Sequence, residues 1–295
     1  MPDLPSILQN FNPTEPVTKL IEAVRAGVGA WFEPTRIRRK ADADAYASRV
    51  AAGAEGDAAL IKAEGEIELQ LLMTRAEDRT RYREIRRQRN IDAIVDKAID
   101  QLPASVSNKP VDEDWMVQFF NYAQDVGNEE MQQLWAKLLA GEVSNPGSYS
   151  LRTLQAVRLL QPSDAAIFQK FASYIWDGNM HFHCSATKEL LSQKGILHVH
   201  LLHLDAIGLL QVHSTTALIY ADPDTRTFYY GSQGYVFHNS QRIVVHTYLV
   251  TDVGQELVKL CEFEPDEEYL SALLEHWRAH GAEVEKLETD PDLKD

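Results

Sequence analysis

Five of the chain's ten histidines and one of its two cysteines fall within "HFHCSATKELLSQKGILHVHLLHL", residues 181–204. A zinc centre needs three or four ligands converging at about 2 Å, commonly supplied as close-spaced pairs separated by a longer loop. His181, His183 and Cys184, followed by His198, His200 and His203, have that spacing, so His181, His183, Cys184 and His200 are the metal-ligating candidates. On an extended segment, however, His181 and His183 point to one face, while His200 and His203 share a helix face with Leu204 and Ile207. Histidine-rich tracts are compositional signals only. The expectation is therefore that no metal and no cofactor is held, and that His203 is a half-buried helix residue.

A second chemistry is carried by arginine. The stretch "RAEDRTRYREIRRQR", residues 75–89, holds seven arginines against three acids. On a helix, Arg75, Arg79, Arg83 and Arg86 recur at four- and three-residue steps and form a basic stripe, which Arg87 and Arg89 broaden. Such a stripe suits phosphates, whose contacts are independent of sequence and sensitive to salt. It also suits an acidic protein partner, including residues 262–295 of the same or a neighbouring subunit, which carry twelve acidic and three basic side chains. Glu77, Asp78 and Glu84 offer the arginines local pairing as well. A further cluster, Arg36, Arg38, Arg39 and Lys40, follows the amphipathic "LIEAVRAGVGAWF", a combination that fits an anionic membrane surface. Packing of that apolar face within the protein is the expectation, with membrane contact through Trp31 and Phe32 as the competing one.

Catalytic signatures are missing: there is no glycine-rich phosphate loop, no His-Glu-x-x-His and no Gly-x-Ser-x-Gly. Asp112, Glu113 and Asp114 lie at a helix start, where carboxylates cap the helix and complement its dipole. A non-enzymatic protein is expected. Two cysteines make no disulfide framework, the first residues have no secretory pattern, and no run of residues is long and uncharged enough to span a bilayer. These features point to a cytoplasmic protein with a net charge of −15.

The elements that must position these groups fall into three parts. Residues 1–100 read as an amphipathic helix broken by Pro34 and a long helical arm, with Gly53, Gly56 and Gly65 expected to divide the arm. Its apolar residues, Ile61, Ile67, Leu69, Leu71, Leu72 and Met73, keep no clean heptad. They imply an arm packed against a partner, most simply in a homo-oligomer, and not a strict coiled coil. Residues 101–178 read as a helical bundle whose helices follow Asp112, Asn128, Ser150 and Ser163 as N-caps. Trp115, Phe119, Trp135, Leu138, Leu139, Phe168 and Phe171 recur there at three- and four-residue steps and form its core. Residues 179–295 change period, with helices at "TKELLSQKG" and "HLLHLDAIGLL" followed by strands at "TALIYA", "TFYYG", "YVFHN" and "RIVVHTYLV". "ADPDTR" reads as a hairpin turn, "TDVGQELVKL" and "EEYLSALLEHWRAH" as helices, and "AEVEKLE" as a last strand. The fold class is thus mainly α with a C-terminal α+β part that is winged-helix-like.

The string "PVDEDWMVQFFNYAQDVGNEEMQQLWAKLLAGEVSNPGSYSLRTLQAVRLLQPSDAAIF", together with "AWFEPTRIRRKADADAYA", "LLHLDAIGLL" and "LVTDVGQEL", resembles the uncharacterised bacterial family called domain of unknown function 2806. Its central part, "MQQLWAKLLAGEVSNPGSYSLRTLQAVRLLQPSDAAI", is similar to the abortive-infection alpha family of phage-resistance proteins, which implies a role in phage defence. Neither family supplies catalytic residues. A DNA-binding regulator is the alternative that the winged-helix-like part suggests. Against it, the candidate recognition helix "HVHLLHLDAIG" has no Arg, Lys, Asn or Gln for base edges, and the wing has Asp222 and Asp224 against Arg226.

Overall fold

A computed structural model describes residues 14–27, 58–220, 224–239 and 243–287 of the chain. Pro34, Gly53, Gly56, Trp31, Phe32 and the cluster Arg36, Arg38, Arg39 and Lys40 lie outside the described residues. The protein is mainly helical with a C-terminal α+β part, and it divides into two compact units between Leu154 and Gln155. The division falls inside a helix, and the long helix shares a unit with the helices that follow it.

In the first unit, α1 spans residues 15–27 and buries Val17, Leu20, Ala23 and Val24, so the described part of the amphipathic helix packs inward. Its last turn lies close to Phe120: a Cβ at Gly27 would meet that ring at 2.6 Å. Helix α2, Ala58–Ile99, runs through Gly65 without a break. A single glycine costs about 1 kcal/mol in a helix, which the flanking Ala, Glu and Leu residues offset. Helices α3 (Glu113–Ala123) and α4 (Glu129–Ser144) begin as their sequences demand, with Asp112 accepting from the Trp115 amide at 2.9 Å and Asn128 from the Met131 amide at 2.9 Å. Their core is aromatic, with the Phe119 ring 5.3 Å from Trp115 and 5.2 Å from Trp135. The buried Glu142 carboxylate accepts from the amides of Gly147 and Tyr149, closing the Asn-Pro-Gly turn. Ser150 then caps α5 (Leu151–Leu159), its hydroxyl accepting from the Thr153 amide at 3.2 Å.

The second unit opens with the last residues of α5, followed by α6, Pro162–Ala172. Ser163 is not its cap: Pro162 occupies the first turn, the cap is Gln161, and the Asp164 carboxylate accepts from the Gln161 amide at 2.9 Å. Proline at the first helical position costs no hydrogen bond, which moves the start one residue upstream of the serine. Next come β1 (Met180–His183), α7 (Ser185–Gln193), α8 (His198–Ala206) and β2 (Leu210–Tyr220). Then follow β3 (Asp224–Tyr230), β4 (Gln233–Asn239), β5 (Ile243–Val250), α9 (Asp252–Val258), α10 (Glu267–Ala279) and β6 (Ala282–Lys286). The strands form two antiparallel three-stranded sheets, β1-β5-β2 and β3-β4-β6. Residues 221–223 of "ADPDTR" lie outside the described residues; among the described strands, β2 pairs with β5 and β3 pairs with β4. An aromatic core carries this unit, with Trp176 stacked on Tyr230 at 4.8 Å and Trp277 edge-on to Phe182 at 5.1 Å.

Candidate nucleic-acid interface

Helix α2 changes environment along its length. From Asn90 onward it buries Ile91, Ile94, Val95 and Ala98, the side that faces α3 and α4. From Leu69 to Arg89, every side chain of the arm is exposed or half-buried. Arg75, Arg79, Arg83 and Arg86 lie on this stretch, in line, over an axial distance of about 16 Å at 1.5 Å per residue. Tyr82, 73% exposed, stands one turn from both Arg79 and Arg86. Leu69, Leu71, Leu72, Met73 and Ile85 are exposed on the same arm.

The arginines are not equivalent. Arg87 makes a two-pronged ion pair with Asp125, Nε to Oδ1 at 2.8 Å and Nη2 to Oδ2 at 2.9 Å, and so ties α2 to the turn after α3. That bond, reinforced by the nearby charges of Arg86 and Arg83, holds the Asp125 carboxyl below its usual range against the opposing effect of burial. Arg83 contacts Glu84 at 3.3 Å, and Arg75 donates from Nε to the Leu71 carbonyl at 3.3 Å. Arg87 thus has a structural partner, while Arg75, Arg79, Arg83 and Arg86 project from the arm.

The histidine tract is dispersed among structural roles. On β1, His181 and His183 share a face with ring centroids 6.2 Å apart. The buried His181 donates from Nδ1 to the Tyr174 carbonyl at 2.9 Å, and its ring lies 5.6 Å from that of Tyr269. Burial pushes its imidazole down to about 4, and Lys188 adds to the effect although the bond to Tyr174 opposes it. His183 pairs in register with His246 and packs 4.1 Å from the Tyr248 ring; burial first, then the neighbouring His181 and Lys188, push it down to about 3. Cys184 precedes α7, its amide donating to the Thr187 hydroxyl at 2.8 Å. His200 turns back to accept the Leu197 amide at 3.2 Å, at the start of α8. His203 is exposed rather than half-buried, and its Nε2 lies 3.0 Å from the Asp164 carboxylate. Among the described residues, no three histidine, cysteine or acidic side chains converge as a metal centre would require.

Sequence reasoning missed Asp125, which lies 38 residues from Arg87 and carries no local signal. Among the described residues, no helix is long and apolar enough to cross a membrane. Comparison with curated proteins and with solved structures finds no match. A family model does match, over residues 74–274, which takes in the arginine stripe and most of the second unit. The chain belongs to that family, described as a protein family of unknown function, DUF2806.

Proposed function

We propose that the chain is a non-enzymatic, self-assembling interaction protein whose α2 arm holds nucleic acid along Arg75, Arg79, Arg83 and Arg86. The observation that carries this function is the alignment of four projecting arginines on a helical stretch that no described element covers. Arginine pairs with phosphate through a planar fork of donors, and a line of them follows a backbone without reading sequence. Tyr82 favours nucleic acid over an acidic protein partner, because bases stack on aromatic faces and carboxylates do not. Assembly follows from the physics of the arm: a single exposed helix draws little stability from propensity, and a second copy of the chain would cover Leu69, Leu71, Leu72 and Ile85. The likeness to the abortive-infection alpha family supports phage defence as the setting.

The test is light-scattering mass with and without a long nucleic acid, joined to anisotropy of a labelled oligonucleotide across a salt series. Assembly of the free chain, with binding at low salt that weakens as salt rises, is the expected result. Replacing Arg79, Arg83 and Arg86 with alanine should flatten the salt slope by about 3, near one per phosphate contact. A salt-indifferent monomer that leaves the oligonucleotide free would refute both parts.

The strand order β1-β5-β2, with β1 between α6 and α7 and β2 directly after α8, favours a second role, since that order is the one a winged helix uses. In that role α8 would enter a DNA groove. Its exposed surface carries His198, Val199 and the Asp164-bound His203, with no arginine or lysine. Substituting His198 and Val199 with glutamate separates the two roles: a groove-reading α8 would lose duplex binding, whereas an arm-bound nucleic acid would stay.

A further inference from the structure

We propose, on the reading that the α2 arm holds nucleic acid, that its ligand is a single strand, with one base turned onto the Tyr82 ring and the flanking phosphates held by arginines before and after it. At about 3.6 residues per turn, successive side chains of α2 step round the helix by about 100°. A sector about 120° wide then takes in Arg75, Arg79, Tyr82, Arg83, Arg86 and Arg89, all exposed, and none of the acidic residues of this stretch. The packed side of the helix, Ile91, Ile94, Val95 and Ala98, is centred about 130° away, so the sector stays open where α2 lies against α3 and α4. Tyr82 is 73% exposed, one turn from Arg79 and one turn from Arg86. A ring so placed can stack on a base while the neighbouring cations neutralise the phosphates on either side, and every base offers a face for it.

A duplex fits the arm less well, for two reasons. Its base faces are closed by stacking, so Tyr82 would meet only base edges in a groove. The charges around the helix are the second reason. A helix about 10–12 Å across fills a major groove about 12 Å wide, and its two flanks then meet the phosphates of both strands. With the arginine sector turned to the groove floor, one flank of α2 would present Asp78 and Ile85 to a backbone. The other flank would present Arg87, whose guanidinium is already bound to Asp125. A single strand laid along the sector needs one line of cations, and it meets the arginines and Tyr82 without a carboxylate of this stretch.

The experiment is fluorescence anisotropy of the full chain at low salt with labelled probes of equal length: oligothymidylate, the same strand paired with oligoadenylate, and a strand of abasic sites that keeps the phosphates. The expected result is that oligothymidylate binds about ten-fold more tightly than either the duplex or the abasic strand. Tyr82→Ala should weaken oligothymidylate about ten-fold, remove its advantage over the abasic strand, and leave the salt slope unchanged, because no phosphate contact is lost. Tyr82→Phe should keep the native affinity, since the ring does the stacking. Tyr82 is exposed, so neither replacement disturbs packing. A duplex bound as tightly as the single strand, or an oligothymidylate affinity indifferent to Tyr82→Ala, would overturn the single-strand inference and leave the arm standing as a phosphate binder. Binding of none of the probes would overturn both.

Discussion

Acidification should weaken the second unit through the buried His181. In the folded chain His181 is neutral, its Nδ1–H given to the Tyr174 carbonyl, and burial sets its pKa at about 4 against an ordinary 6.5. The unfolded chain therefore takes up a proton first as pH falls. The stability contributed by the neutral ring is complete above pH 6.5, declines as pH drops from 6.5 towards 4, and falls no further below that. Between pH 7 and pH 5 the loss from this one residue is about 2 kcal/mol. His183, pushed down to about 3, acts in the same direction, so the total loss exceeds the part belonging to His181. The comparison variant is His181→Asn, which retains an N–H for the Tyr174 carbonyl and cannot titrate. Urea unfolding, read by hydrogen exchange of the β1 and β5 peptides, should show the native chain losing about 2 kcal/mol more than His181→Asn over that interval. An equal loss in the two proteins would refute the reasoning, because it would mean that His181 is not held neutral by its burial.

Other perturbations are smaller in scope. At Gly254 an added Cβ would stand 2.3 Å from the Leu209 carbonyl oxygen, so Gly254→Ala must shift backbone where β2 meets α9 and should cost about 2 kcal/mol in denaturant unfolding. Asn128→Ala removes the acceptor for the Met131 amide and should destabilise α4 by about 1 kcal/mol, while Asn128→Asp should retain the cap. A double-mutant cycle on Arg87 and Asp125 should give a coupling of about 1 kcal/mol that shrinks as salt is added, because the pair is two-pronged yet partly exposed. A coupling near zero would show that the ion pair adds nothing to the apolar packing of α2 and the bond from the Asn90 side-chain amide to the Gln124 carbonyl.

The sequence by itself determined what depends on near neighbours. Helices α3 and α4 follow from Asp112 and Asn128 and from aromatic residues at helical spacing, since a cap and its amide lie three residues apart. The strands in "TFYYG", "YVFHN" and "RIVVHTYLV" were legible for the same reason: alternation is a local property. The arginine stripe was legible too, because its alignment needs only the pitch of a helix. Other outcomes depended on residues far away in the chain. Whether Gly65 breaks α2 turns on the competing propensities of the whole helix, and the partner of β2 is β5, which pairs with it from more than twenty residues away. Arg87 looked equivalent to its neighbours until the fold brought Asp125 against it. The histidines of 181–204 looked like paired ligands, yet their ring directions are set by β5 packing beside β1 and by the starts of α7 and α8. Spacing states which side chains can meet within one element; only the tertiary structure decides which meet across elements, because long-range packing selects among partners that local geometry leaves equal.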